Sequence, residues 1–424
     1  MDMHVSIFGQ PCGVLSVEDE RFTFRYLNEY VASAGQPISI CMPVRDQIYT
    51  DRVVFPFFEN LLPEGEIRTL LAARLKTSDN SFARLLDATG GDVAGALSIS
   101  AASFTESIHS KTAARIETPP LSKEALGHLF KQIETTPFLS SPGSPLRLSL
   151  AGAQRKLPII LTNGGICAPD TRLSTHIVKP PSPRFAHLVE NEYLCMRVAR
   201  RAGINVPDVI LVPFVNNGGE EYDCYVVKRY DRRGTGPDVE RIHQEDLCQI
   251  LSIPSSRKYV GDGGPGFPEL FASTRQYTRP AAIYQNELIR RTLFNLVIGN
   301  NDAHGKNFSF LHGGGNLTLA PAYDLVCTAI YADLNQEFAM PFGGAIRMSE
   351  LNDKALEQFS RDTGITLRRQ SRELIQFLDK LLDAFTVEAD LLERESYPQT
   401  RTLIAEMYRV VRHNHGRVRA LFTQ

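Results

Sequence analysis

The chain has 424 residues, 43% hydrophobic and 22% charged, with a mean hydropathy of −0.17; this excludes a stapled miniprotein, a fibre or a disordered tail and leaves room for two or three domains. Lys and Arg number 46 against 48 Asp and Glu, a net charge of −2, so no chain-wide basic field draws the protein to nucleic acid. The seven cysteines (Cys12, Cys41, Cys167, Cys195, Cys224, Cys248 and Cys327) are scattered and form no C-x-x-C pair, which argues against a disulfide framework or a zinc knuckle and for a reducing, cytoplasmic setting.

No run of about 18 apolar residues and no basic-then-apolar leader marks the sequence, so neither a membrane span nor export is expected. In chain order, residues 3–55 alternate apolar runs with turn signals, and Phe22, Phe24 and Tyr26 fall at period two, the pattern of a half-buried antiparallel strand. A small β-rich module is expected there. Helical spacing follows from Phe57 to Leu75 and from Ser81 to Leu86, and Gly90-Gly91-Asp92-Val93-Ala94-Gly95 then leads into a strand-like run, Ala96-Leu97-Ser98-Ile99-Ser100. Gly90 and Gly95 have the separation of a phosphate loop, but Ala96 and Leu97 stand where Lys and Ser or Thr are needed, so a Gly-bounded turn is the better reading. The Ser-, Thr- and Ala-rich residues 101–123 suit an exposed connection and place a boundary near residue 118. A short helix is expected at 123–134, a Ser/Pro/Gly stretch follows at 140–145, and from about 236 helical periodicity dominates, notably at 284–300, 370–389 and 399–422.

The middle of the chain holds the chemistry. Leu146–Leu150 reads as a strand, Ala151-Gly152-Ala153-Gln154 as a tight small-residue loop, and Lys156–Leu161 as the returning strand, closed by an Asn163-Gly164 turn. Such a loop either lays backbone N–H groups over a polyphosphate or is a plain hairpin. Thr175–Lys179 is a strand ending in a lysine, and thirteen residues later Glu192 sits in a helical run. Lys179 and Glu192 fit a phosphate-binding cation and the helix carboxylate that positions it, or a solvated Lys and a surface Glu. Cys224–Asp231 is an apolar strand that turns polar, either an ordinary strand end or a connector whose backbone meets an adenine edge. In Asn301-Asp302-Ala303-His304-Gly305-Lys306-Asn307, D-x-x-x-x-N has the spacing of a protein-kinase catalytic loop, with Asp302 placed to accept a hydroxyl proton and Asn307 to hold a metal ion. A hairpin from Phe308 to Leu319 then delivers Asp324, a second metal ligand, in Ala322-Tyr323-Asp324. Ala303-His304 after the base and Tyr323-Asp324-Leu325 in place of D-F-G mark a divergent kinase.

The chain resembles the HipA family of serine/threonine kinase toxins from bacterial toxin–antitoxin pairs, nearly end to end. The markers are Phe57-Phe58-Glu59-Asn60-Leu61-Leu62-Pro63, Ser149–Lys156, Thr175–Lys179, Val206-Pro207-Asp208, Arg229-Tyr230-Asp231-Arg232-Arg233, Gln244–Gln249, Gly261-Asp262-Gly263-Gly264-Pro265-Gly266, Asp302–Asn307 and Tyr323-Asp324. The resemblance implies an α+β, divergent two-lobed kinase-like fold: a β-rich subdomain at 1–118, an N-lobe-like region at 119–235, and a helical lobe at 236–424. It implies ATP and Mg²⁺ as cofactors, Ala151, Gly152, Ala153, Gln154, Arg155 and Lys156 as the phosphate loop, Lys179 as the phosphate lysine with Glu192, and Lys228, Arg229 and Tyr230 at adenine. It further implies Asp302 as base, His304, Gly305, Lys306 and Tyr323 at the nucleotide, and Asn307 and Asp324 as metal ligands. Ser149 is the implied autophosphorylation site, where about two added charges beside the triphosphate would eject the loop. Arg155 stands where relatives can carry an acidic residue.

The resemblance also implies an aminoacyl-tRNA synthetase substrate, glutamyl-tRNA synthetase above all, with arrest of translation and growth and hence persistence. The implied partner is a HipB-like helix-turn-helix antitoxin, through which the chain reaches operator DNA. The Arg-rich C-terminal helix (Arg401, Arg409, Arg412, Arg417, Arg419) reads as a solvated face or a phosphate contact. Two other functions stay open on the sequence, a catalytically silent co-repressor and a small-molecule kinase.

Overall fold

The computed structural model describes residues 1–102, 119–135, 154–168, 172–234, 238–395 and 400–423. The expected strand at 146–150, Ser149, the loop residues Ala151, Gly152 and Ala153, and the boundary near 118 lie outside these residues. The chain forms two compact units, Met1–Pro180 with Leu211–Ser255 and Pro181–Ile210 with Ser256–Gln424. The α+β class expected from the sequence is what is found.

The first unit opens with β1 (Asp2–Ile7), β2 (Gln10–Glu18) and β3 (Arg21–Tyr26), joined by β4 (Leu97–Ser100) in an antiparallel sheet of order β3-β2-β1-β4. Period two sets one face inward: Met3, Val5 and Ile7 on β1 and Phe22, Phe24 and Tyr26 on β3 are all buried. Asp19 and Glu20, both at positive φ, make the two-residue turn whose twist matches the strands it joins. Helices Asp51–Glu59, Gly65–Arg74 and Phe82–Thr89 bring Phe57, Phe58, Leu71, Leu85 and Leu86 to the same core. The first of these helices starts six residues earlier than the aromatic run suggested and ends at Glu59, because Leu61-Leu62-Pro63 turns away from helical pairing before a proline.

A second core lies under β5 (Leu157–Thr162), β6 (Gly165–Cys167), β7 (His176–Lys179), β8 (Val209–Val215) and β9 (Glu221–Lys228), in the order β6-β5-β7-β9-β8. Helix Lys123–Thr135 closes it, with Leu126, Phe130 and Ile133 packed on Ile159, Val178 and Val226. The β5–β6 turn falls at Asn163-Gly164, where the sequence puts it.

The second unit is mainly helical: Leu188–Ala202, Phe267–Tyr277, Ala281–Ile298, Asp353–Thr363, Ser371–Glu395 and Thr400–Ala420. Buried Glu388 accepts from Arg197 (2.9 Å) and Arg201 (2.6 Å), tying helix Ser371–Glu395 to Leu188–Ala202. The hairpin Ser309–Gly313/Asn316–Leu319 is the unit's main β-structure. No helix among the described residues is long and apolar enough to cross a membrane.

Candidate active site

The second unit builds the D-x-x-x-x-N loop from the end of helix Ala281–Ile298. Gly299 takes φ 73°, and a Cβ there would stand 2.8 Å from Ala329 Cβ and Val410 Cγ1, so only glycine ends this helix. The Asn300 N–H returns to the Asn295 carbonyl (2.9 Å), while Asn414 Nδ2 caps the Leu296 carbonyl (3.0 Å). The loop that follows is held at each step. Asn301 N–H donates to Thr328 Oγ1 (2.8 Å), Asp302 N–H to Asn300 Oδ1 (3.3 Å), and His304 N–H to the Asp302 carbonyl (2.8 Å). Asn307 N–H donates to the His304 carbonyl (2.9 Å), and the Tyr323 hydroxyl bonds both the Lys306 carbonyl (2.5 Å) and Ser309 Oγ (2.6 Å).

On this frame Asp302 is exposed, and its Oδ1 accepts from the Tyr259 hydroxyl at 2.9 Å. His304 and Lys306 are buried. Burial, then the nearby Lys258 and Lys306 cations, hold the His304 pKa well below its ordinary value against the opposing pull of Asp324, so the imidazole is neutral at pH 7. Within this loop, His304 Nδ1 and Asn307 Oδ1 are buried with no hydrogen-bond partner among the described residues. A buried orphan costs about 1–3 kcal/mol and calls for a ligand or ion.

Asp324 follows the hairpin with φ 52°, in the left-handed region. Such a backbone costs a non-glycine residue about 1 kcal/mol or more and persists where flanking contacts impose it. Here Ala322 N–H donates to the Asn205 carbonyl (2.8 Å), and Asn191 brackets Cys327, accepting its N–H (2.9 Å) and donating to its carbonyl (3.1 Å). The unit thus brings together Asp302, His304, Gly305, Lys306, Asn307, Tyr323 and Asp324, and it also carries Glu192, buried in helix Leu188–Ala202.

Asn307 and Asp324 offer a carboxamide and a carboxylate oxygen, the hard donors that Mg²⁺ takes alongside water and phosphate. No cluster of three or more His, Cys, Asp or Glu able to cage a metal occurs among the described residues. The orphaned Asn307 Oδ1 fits an ion held partly by its own ligands.

The first unit carries the rest. Lys179 ends β7, buried, with Nζ 5.6 Å from the ring centroid of its strand neighbour Tyr225. Gln154, Arg155 and Lys156 lead into β5, and Arg155 lies 3.8 Å from Glu66. Lys228 is exposed at the end of β9, and the next N–H, of Arg229, donates to the Thr175 carbonyl (2.9 Å). The Tyr230 hydroxyl donates to Gln244 Oε1 (2.6 Å).

The Arg229 side chain points into a buried ion cluster that sequence reasoning missed. It grips Asp231 with Nε (2.9 Å) and Nη2 (2.7 Å) and reaches Ser174 Oγ (2.8 Å) and Asp92 (3.4 Å). Asp92 also accepts from Ser174 (2.6 Å) and Arg232 (2.5 Å) and lies 3.4 Å from Arg241, while Asp231 accepts from the Gly95 N–H (2.7 Å). Burial opposes ionisation of both aspartates, but the guanidinium groups outweigh it, holding Asp92 far below the usual carboxylate range and Asp231 at about 2. Burial lowers Arg241 to about 10. The Gly90–Gly95 turn therefore serves to present Asp92, and the Arg229 side chain is committed to this cluster.

Residues 3–100 match the HipA N-terminal domain family and residues 148–387 the HipA-like C-terminal domain family. Among relatives, Y4mE of Sinorhizobium fredii, which carries a kinase name, is 37% identical over 350 residues, 82% of each chain. The serine/threonine-protein kinase toxin HipA of Shewanella oneidensis is 33% identical over 338 residues, 76% of this chain and 73% of that one. A solved Shewanella oneidensis structure of HipA with HipB and operator DNA superposes with a TM-score of 0.82 at 26% identity, covering 98% of this chain and 97% of that one.

Proposed function

The chain belongs to the HipA family of kinases, and we propose that it is a Mg²⁺- and ATP-dependent serine/threonine protein kinase toxin of a toxin–antitoxin module. The observation that carries this reading is the joint presence of exposed Asp302, the orphaned His304 Nδ1 and Asn307 Oδ1, and left-handed Asp324 in one rigidly tied loop system.

In the reaction, Asp302 takes the proton of an acceptor hydroxyl as that oxygen bonds the γ-phosphorus and the bond to the β–γ bridging oxygen breaks, releasing ADP. Asn307 and Asp324 would hold Mg²⁺, which would supply neutralisation of phosphate charge. Neutral His304 offers the nucleotide a hydrogen bond without adding charge. By kinship, Lys179 serves the α/β-phosphates, Lys228–Tyr230 lie at adenine, residues 151–156 are assigned as the phosphate loop and Ser149 as the autophosphorylation site.

By kinship, the acceptor is an aminoacyl-tRNA synthetase such as glutamyl-tRNA synthetase, the setting is cytoplasmic, and the neutralising partner is a HipB-like antitoxin bound to operator DNA. The test is incubation with Mg²⁺ and γ-labelled ATP, with and without glutamyl-tRNA synthetase, followed by mass spectrometry of both chains. Label on Ser149 and on the synthetase is expected. Label on Ser149 alone redirects the search to other synthetases. ATP binding with no transfer to any protein overturns the kinase toxin in favour of a silent co-repressor, and phosphate found only on a metabolite does so in favour of a small-molecule kinase.

A further inference from the structure

Tyr259 has no part in the proposed transfer step, yet it touches two residues of that site. Its hydroxyl donates to Asp302 Oδ1 (2.9 Å), and its ring stands edge-on to the His304 ring, centroids 5.1 Å apart at 81°. One side chain thus touches both the candidate base and the buried imidazole two residues on. The backbone on either side is tied to the same loop system. The Lys258 carbonyl accepts from Gly305 N–H (3.4 Å), and Val260 N–H donates to Ala339, whose own N–H donates to the Asn301 carbonyl (2.8 Å).

The glycine-rich stretch after Tyr259 explains how this placement is made. The Tyr259 carbonyl accepts from Asp262 N–H (3.0 Å) and Gly264 N–H (2.8 Å), so the chain wraps tightly back on it. A Cβ on Gly264 would lie 2.1 Å from the Arg257 carbonyl oxygen and 2.7 Å from that of Tyr259, and Gly263 takes φ 82°. Only glycines allow that turn. A motif with no chemistry of its own is therefore built around one tyrosine.

We propose that Tyr259 is a positioning residue for phosphoryl transfer: it holds the Asp302 carboxylate in one rotamer through Oδ1 while its ring supports His304. The inference rests on the kinase reading of the same site. An exposed aspartate samples several rotamers, and a base that must meet a hydroxyl within hydrogen-bond reach loses rate when it is free to swing away. A hydroxyl donated to the carboxylate also stabilises its ionised form.

The test compares the intact wild-type protein with Tyr259→Phe, which keeps the ring against His304 and removes only the donor. We expect kcat to fall about tenfold with the KM for ATP unchanged. The acid limb of the kcat–pH profile should move to higher pH, because the carboxylate loses a donor that favours its ionised form. Thermal stability should stay within the wild-type range. A Tyr259→Phe protein with wild-type kcat and an unmoved acid limb overturns the role, as does loss of kcat accompanied by a matching loss of stability, which marks a structural contact. A wild-type protein that transfers no phosphate takes down the kinase reading itself, a result read before any variant is compared.

Discussion

The buried cluster of Asp92, Asp231, Arg229, Arg232 and Arg241 in the first unit and the loop system of Asp302, His304, Asn307 and Asp324 in the second use charge in opposite ways. In the first, all four carboxylate oxygens are met by donors, and among the described residues Arg232 Nε is the one fully buried side-chain nitrogen of the five without a partner. In the second, the candidate base Asp302 is exposed, and His304 Nδ1 and Asn307 Oδ1 are buried without a hydrogen-bond partner among the described residues. Charges that satisfy one another in the interior hold a fold together; exposed charges and open acceptors are available to a ligand. Strongly perturbed ionisation therefore does not by itself mark an active site, since two strongly lowered carboxylates lie in the first cluster.

Substitution of one aspartate from each group should break the comparison cleanly. Asp302→Asn should lower phosphate transfer by about three orders of magnitude or more, several kcal/mol of transition-state stabilisation, with an unchanged urea midpoint. Asp92→Asn should instead cost about 3 kcal/mol or more of stability, read as a lower urea midpoint, because it leaves buried guanidinium charge uncompensated. A normal midpoint for Asp92→Asn would show that the cluster relaxes or hydrates more easily than its burial implies.

The acid response sharpens the same contrast. Asp92 and Asp231 have folded pKa values below those of unfolded carboxylates, so the unfolded chain binds more protons at low pH. Their stabilisation is complete above the unfolded value of about 4 and drains away as pH falls through the folded values, about 2 for Asp231. Circular dichroism across that window should show stability falling with pH in the wild type and a flatter slope in Asp92→Asn. A smaller effect belongs to the second group: Mg²⁺ with ATP should raise the melting temperature, by about 2.7 kcal/mol of linkage at a hundredfold excess over Kd. Asn307→Ala should lose the Mg²⁺-dependent part of that rise, and an undiminished rise would remove Asn307 from the metal site.

Much of the fold was readable along the chain because its signals are local. Period-two burial on β1 and β3, the Asn163-Gly164 turn, the hairpin after Phe308 and the long C-terminal helices depend on residues within a few positions of one another. Helices Phe267–Tyr277 and Asp353–Thr363 fall in the helical region expected from about 236 but are not singled out by periodicity, although both carry punctuation: Pro268 in the first turn of one, and an Asn352 cap with Gly364 at the end of the other. The Asp302–Asn307 loop was legible for the same local reason, its spacing being set within one turn of chain.

The sequence by itself determined which segments become strand or helix, the order of the candidate chemical groups, and the kinship with HipA. Only the tertiary structure decided what Asp92 and Tyr259 are for. Gly95 and Asp231 meet across 136 positions and Tyr259 and Asp302 across 43, separations at which residue pattern carries no periodic signal. The left-handed backbone of Asp324 is likewise imposed by contacts around it, since an aspartate's own preference runs the other way. Local propensity acts through neighbours in sequence, whereas burial, pairing and strain act through neighbours in space.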